Sequence, residues 1–163
     1  MNSDDYRERL ECYTRERELT VLTPLGAGTQ GSVFLIANLS QTRRTAVKFH
    51  YREVAYLRER DVFLRLQDLE IDEVNGHAVP ILIGYDDDLL AIEMTTVSPP
   101  FVLDFGGAYL DRPPDYSDEV WQDWREMKSD AFEDNWPAVE EILGEFQSYG
   151  IYIADVNTSN IRF

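Results

Sequence analysis

Leu25-Gly26-Ala27-Gly28-Thr29-Gln30-Gly31-Ser32-Val33-Phe34 is the stretch whose reading decides the fold. Glycines at 26, 28 and 31 followed by Val33 match a G-x-G-x-x-G-x-V spacing. In that pattern the missing side chains let backbone N–H groups come close to a polyphosphate. Three glycines in six residues also describe an ordinary turn, so the decision rests on what surrounds them.

Working outward, short apolar runs rich in β-branched residues over 19–25, 32–37 and 45–49 predict a three-strand meander with the glycines in its first turn. The segment 51–70 has no Gly or Pro, and Ala55, Val62, Phe63, Leu66 and Leu69 recur at helical spacing. Glu59 falls on the same stripe. A carboxylate there either reaches water at the stripe's edge or needs a partner, because burying it unpaired is costly. Lys48, ending the third strand, is the obvious partner. Two more strands are expected over 79–83 and 89–94, giving a five-stranded antiparallel sheet with one helix.

Pro99, Pro100, Gly106, Gly107, Pro113 and Pro114 mark 98–116 as an irregular connector. Beyond it, Ser117 caps a predicted helix over 117–130, and a second helix over 135–149 carries Pro137 in its first turn and stops at Gly150. A short β-like run over 151–153, a polar loop from Asp155 to Asn160 and Ile161-Arg162-Phe163 complete the chain. Residues 1–18 are mostly charged and read as a short helix or a solvated arm.

At 163 residues the chain suits one domain or one domain of two small lobes. A formal charge of −16 argues against nucleic acid or an anionic membrane as a partner. One cysteine, Cys12, excludes an internal disulfide and a multi-cysteine zinc site. His50 and His77 stand far apart and are expected to be structural. Neither a signal peptide nor an 18-residue apolar run is present, so a cytoplasmic location is expected.

On these residues the chain resembles the protein kinase-like superfamily in reduced form. Gly26, Gly28, Gly31 and Val33 resemble the glycine-rich loop over the ATP phosphates. Ala46-Val47-Lys48 resembles the third-strand motif, whose alanine faces adenine and whose lysine holds the phosphates. Glu59 resembles the helix glutamate that orients that lysine. Ala91-Ile92-Glu93-Met94 resembles the fifth strand and hinge, with the backbone of Glu93 and Met94 facing the adenine edge. Asp155-Val156-Asn157-Thr158-Ser159-Asn160 resembles the catalytic loop, in which Asp155 would accept a hydroxyl proton and Asn160 would hold Mg²⁺.

The resemblance implies an α+β, protein kinase-like fold: a five-stranded antiparallel sheet with an αC-type helix over 19–97, the connector over 98–116, and a truncated, mainly helical lobe over 117–163. It implies ATP and Mg²⁺ as cofactors and phosphate transfer to a protein or small-molecule hydroxyl. Departures favour a competing reading, a pseudokinase or nucleotide-binding interaction module without transfer. Ile153-Ala154 stands where protein kinases have His and Arg, Asn157 replaces a lysine, and three residues follow Asn160, so no Asp-Phe-Gly segment comes after the loop.

Asp104-Phe105-Gly106 does occur ahead of the loop. It could fold back to supply the missing metal ligand. The preferred expectation is coincidence, because a segment just past the hinge should lie at the adenine end of the cleft. A lobe of only two helices also leaves apolar faces uncovered, so a homodimer or protein partner is expected there, anchored by Trp121, Trp124 and Trp136.

Overall fold

The structure is a computed structural model and describes residues 5–38, 40 and 42–163. The first four residues of the expected arm, and Leu39 and Gln41 in the loop between the second and third strands, lie outside the described residues. In chain order the elements are α1 (Asp5–Glu16), β1 (Thr20–Ala27), β2 (Gly31–Asn38), β3 (Arg43–His50), α2 (Glu53–Asp68), β4 (Glu73–Val74), β5 (His77–Ala78), β6 (Leu82–Asp86) and β7 (Ala91–Met94). There follow β8 (Phe101–Val102), β9 (Ala108–Leu110), α3 (Asp118–Phe132), a short 3₁₀ turn, α4 (Trp136–Ser148), β10 (Ile151–Ile153) and β11 (Ile161–Arg162).

The fold is α+β, with a five-stranded antiparallel sheet in the order β1-β2-β3-β7-β6. Period-2 alternation gives the sheet two apolar faces. On one, Val47 and Phe49 of β3 join Ile36, Ala91 and Tyr13 of α1 in a small cluster. On the other, Ala46, Ile92 and Met94 join the main core with Tyr56, Val62, Phe63 and Leu66 of α2. That core continues without a break into Phe105, Phe146 and Ile151. The Phe105 ring sits 5.5 Å from that of Phe63 and 5.7 Å from that of Phe146, tying the segment after β8 to both helices.

Several expectations are corrected. Of the two readings of the charged amino-terminal residues, the described part takes the helical one: it forms α1, where Tyr13 is buried and its hydroxyl donates to Glu93 at 2.7 Å. The strand expected over 79–83 forms instead at β6, because Pro80 has no N–H and the Val79 N–H is used by the Asp72 carbonyl at 2.8 Å. The connector over 98–116 is not wholly irregular. It contains β8, which pairs with β5 and β11, and β9, which pairs with β10. A hairpin of β4 and β5 turns on Asn75-Gly76, both at positive φ (47° and 76°) as a type I′ turn requires.

Gly31 opens β2 opposite His50, and a Cβ there would stand 2.3 Å from the Phe49 carbonyl oxygen. Backbone cannot yield as a flexible side chain can. Gly31→Ala is therefore expected to destabilise the protein by about 1–3 kcal/mol, read as a lowered urea midpoint. Gly26→Ala, with nothing within 4 Å of the added atom, should leave that midpoint nearly unmoved.

Candidate functional site

Lys48 is the fixed point of the site. Its position on β3 places the side chain on the α2 face of the sheet, where it is 5% exposed. Its ammonium donates to Glu59 Oε2 at 2.7 Å and to Asp104 Oδ1 at 2.8 Å. Burial pushes the lysine toward the neutral form, but the two carboxylates outweigh it, so its pKa is raised. Burial likewise opposes the charge on Glu59, and Lys48 and then His50 overcome it, holding that carboxyl at about 2.

Glu59 is 1% exposed, so it is a buried partner of Lys48 and not a carboxylate at the edge of its stripe. His50 holds it from the other side. The ring is fully buried, with Nε2 2.6 Å from Glu59 Oε2 and Nδ1 3.2 Å from the Leu90 carbonyl. With Glu59 ionised, Nε2 is the donor. His50 is thus structural, as expected, and its structural role is to brace the lysine's partner. The signal was its place two residues after Lys48 on a strand, which puts both side chains on one face.

The expectation that Asp104 belongs to the far end of the cleft is overturned. β8 runs antiparallel to β11 with Ile161 opposite Val102, and the Leu103 N–H extends this ladder to the Asn160 carbonyl at 2.7 Å. The next residue, Asp104, turns into the left-handed region (φ 66°), which Asp tolerates better than most residues. Its Oδ1 accepts the Gly106 N–H at 3.3 Å and faces Lys48. Gly107 completes the fit, since a Cβ there would come within 2.6 Å of the Asp155 Cβ. Asp104 is therefore carried to the segment Asp155–Asn160.

That segment is held by its own polar side chains and by α3. Asn157 Oδ1 accepts from the Ser159 and Asn160 N–H groups at 2.9 and 3.1 Å, an Asx turn that fixes the loop. Trp124 Nε1 donates to the Ala154 carbonyl at 2.9 Å. Val156 is buried, Asp155 is exposed and Asn160 is half-buried.

Together these residues line a cleft of about 370 Å³. Its lining brings together Gly26, Gly28, Gly31 and Val33 with Lys48, Glu59 and Met94 and with Asp104, Asp155 and Asn160. Gly26 and Gly28 have open space where side chains would project, whereas Gly31 serves the β2–β3 contact. The Gly28 N–H is used within the hairpin, donating to the Gly31 carbonyl at 3.0 Å. Two predicted residues are not brought to the cleft. Ala46 shares the Lys48 face but is buried in the core. Glu93 lies on the opposite face, where its carboxylate accepts from Thr45 and Tyr13, and its strand is paired on both sides.

Among the described residues no three His, Cys, Asp or Glu side chains converge on a metal-sized site. No helix there is long and apolar enough to cross a membrane. Comparison of the chain with protein-family models and with curated proteins returns no match in either.

Proposed function

We propose that this chain is a small protein kinase-like phosphotransferase that binds ATP with Mg²⁺ in the glycine-walled cleft and phosphorylates a hydroxyl. One observation carries the reading: the Lys48 ammonium, braced by Glu59, also meets Asp104, on a cleft that Asp155 and Asn160 complete. Phosphoryl transfer needs a cation on the phosphates, acidic and amide ligands for metal, and a carboxylate for the acceptor's proton.

The cleft fits the group. Its volume falls in the range of small-molecule sites, about 300–1,000 Å³, and the space above Gly26 and Gly28 is what a Cβ would fill. Mg²⁺ is usually held by one or two carboxylates together with substrate phosphates. Asp104 and Asn160 would hold the metal, and bound ATP would supply the phosphoryl group. Lys48 orients the phosphates, Glu59 and His50 keep Lys48 aimed, and Asp155 takes the hydroxyl proton. Asp104 would thereby take the role that the metal-binding aspartate has in the family the chain resembles, which supports transfer over the pseudokinase reading.

Titration calorimetry tests the binding step. ATP with Mg²⁺ is expected to give a saturable signal, lost in Lys48→Ala. Asp104→Asn is expected to retain metal-free ATP binding but to lose most of the gain that Mg²⁺ provides. Equal affinities for ATP in wild type and Lys48→Ala, both folded by circular dichroism, would sink the reading.

A further inference from the structure

A second concavity, a groove of about 770 Å³, lies between α3 and α4 and is more than twice the volume of the lysine cleft. Its lining includes Trp121, Trp124, Trp136 and Tyr152. Trp121 and Trp124 meet edge to face at 5.5 Å, and Trp124 and Trp136 at 6.1 Å, so the three indoles form one continuous aromatic wall. Each is only half-buried. Asp118 and Glu140 stand on the same groove, and neither takes part in an ion pair among the described residues.

The surroundings share this sign. Residues 111–163 contain thirteen Asp and Glu against four Lys and Arg, a net charge of −9. Among the described residues Arg125 is the one basic residue lining the groove. Aromatic faces backed by unpaired carboxylates in a negative field attract a cation and repel an anion. An apolar protein surface would gain nothing from the carboxylates, which would be desolvated without partners.

The groove also adjoins the candidate transfer site. Tyr152 and Ile153 line it, and Trp124 bonds the carbonyl of Ala154, the residue before Asp155. We propose that this groove binds an organic ammonium ion and that, given the phosphotransferase reading on which this rests, the ammonium belongs to the phosphate acceptor. In that reaction the acceptor's hydroxyl oxygen bonds to the γ-phosphorus, and the bond from that phosphorus to the β–γ bridging oxygen breaks. ADP leaves with the electron pair, and the hydroxyl proton passes to Asp155.

All three tryptophans of the chain line this groove, so intrinsic fluorescence reads it directly. The probes are choline, a hydroxyl-bearing quaternary ammonium, and 3,3-dimethylbutan-1-ol, its uncharged isostere. Choline is expected to change the emission saturably and to bind about tenfold or more tightly than the neutral alcohol. Asp118→Asn and Glu140→Gln, both at exposed positions, should each weaken choline severalfold, Arg125→Gln should strengthen it, and added salt should weaken it. Lys48→Ala should bind choline as wild type does, because the groove does not depend on the nucleotide cleft.

Equal binding of alcohol and cation, or tighter binding of inorganic phosphate than of choline, would overturn the inference. So would self-association in sedimentation that alters the tryptophan emission and is unaffected by choline. Phosphate transfer to neutral hydroxyl acceptors with no response to choline overturns it while leaving the phosphotransferase reading standing. A saturable response to choline with no transfer to any hydroxyl overturns the phosphotransferase reading and the acceptor role, and leaves the cation site supported.

Discussion

Glu59→Ala is expected to destabilise the protein by about 3–5 kcal/mol, the usual cost of removing one partner from a buried ion pair. Lys48 would keep only Asp104, whose side chain is 31% exposed, and the Nε2 of the fully buried His50 would lose its acceptor. Urea denaturation of the two proteins at neutral pH measures the effect as a shift of midpoint at constant slope. A loss below about 1 kcal/mol would mean that the pair is worth no more than a surface salt bridge. Glu59→Gln, which keeps the shape and a hydrogen-bond acceptor, should fall between.

The same pair sets a pH dependence. The folded-state pKa of Glu59 is depressed to about 2 from an ordinary 4.5, with Lys48, His50 and Asp104 as the charged or titratable groups bonded within the cluster. A depressed carboxyl binds its proton more weakly in the folded state than in the unfolded one. Its contribution is therefore fully present above about pH 5 and is lost as the pH falls from 4.5 toward 2. Wild type should lose stability across that window, and Glu59→Gln should lose distinctly less.

Asp155→Ala is expected to lower phosphate transfer by about 10²–10⁴-fold, the usual contribution of a positioned general base. Nucleotide affinity should barely change. The substitution is conservative for the fold, because the Asp155 side chain is exposed and the contact facing Gly107 is made by its Cβ, which alanine retains. Transfer of labelled phosphate to a panel of hydroxyl acceptors measures the effect. Unchanged incorporation by a folded Asp155→Ala protein would end the assignment of Asp155 as base. Binding of ATP with no transfer by wild type would favour the interaction-module reading instead.

Much of the sheet was legible because it is built from runs long enough to show a period. β2 and β3 are eight residues each, and α2 carries its buried stripe through sixteen. The Lys48–Glu59 pair followed from that stripe, since a carboxylate at a core position and a lysine on the facing strand have few other ways to be satisfied. The Asn75-Gly76 turn and Pro80 are local signals that the reading of a strand over 79–83 passed over; Pro80 moves that strand onward to β6.

The other half of the site lay outside such reasoning. β8 and β11 are two residues each, too short for any alternation to declare a face or a partner. Their pairing brings Asp104 beside Asn160, 56 residues away along the chain, and the same turn drives Phe105 into the core against Phe63 and Phe146. Distance along the chain past Met94 was a poor guide, because β8 is placed by its pairing with β11 and not by its nearness in sequence to β7.

The sequence by itself determined the longer strands and helices, the face on which Lys48 lies and the glutamate that answers it, since local periodicity decides which side chains a strand or helix buries. Only the tertiary structure decided that Asp104 completes the lysine's environment and that Glu93 turns away from the cleft. Those placements come from closing a single core over segments far apart in the chain, and no period within either segment records them.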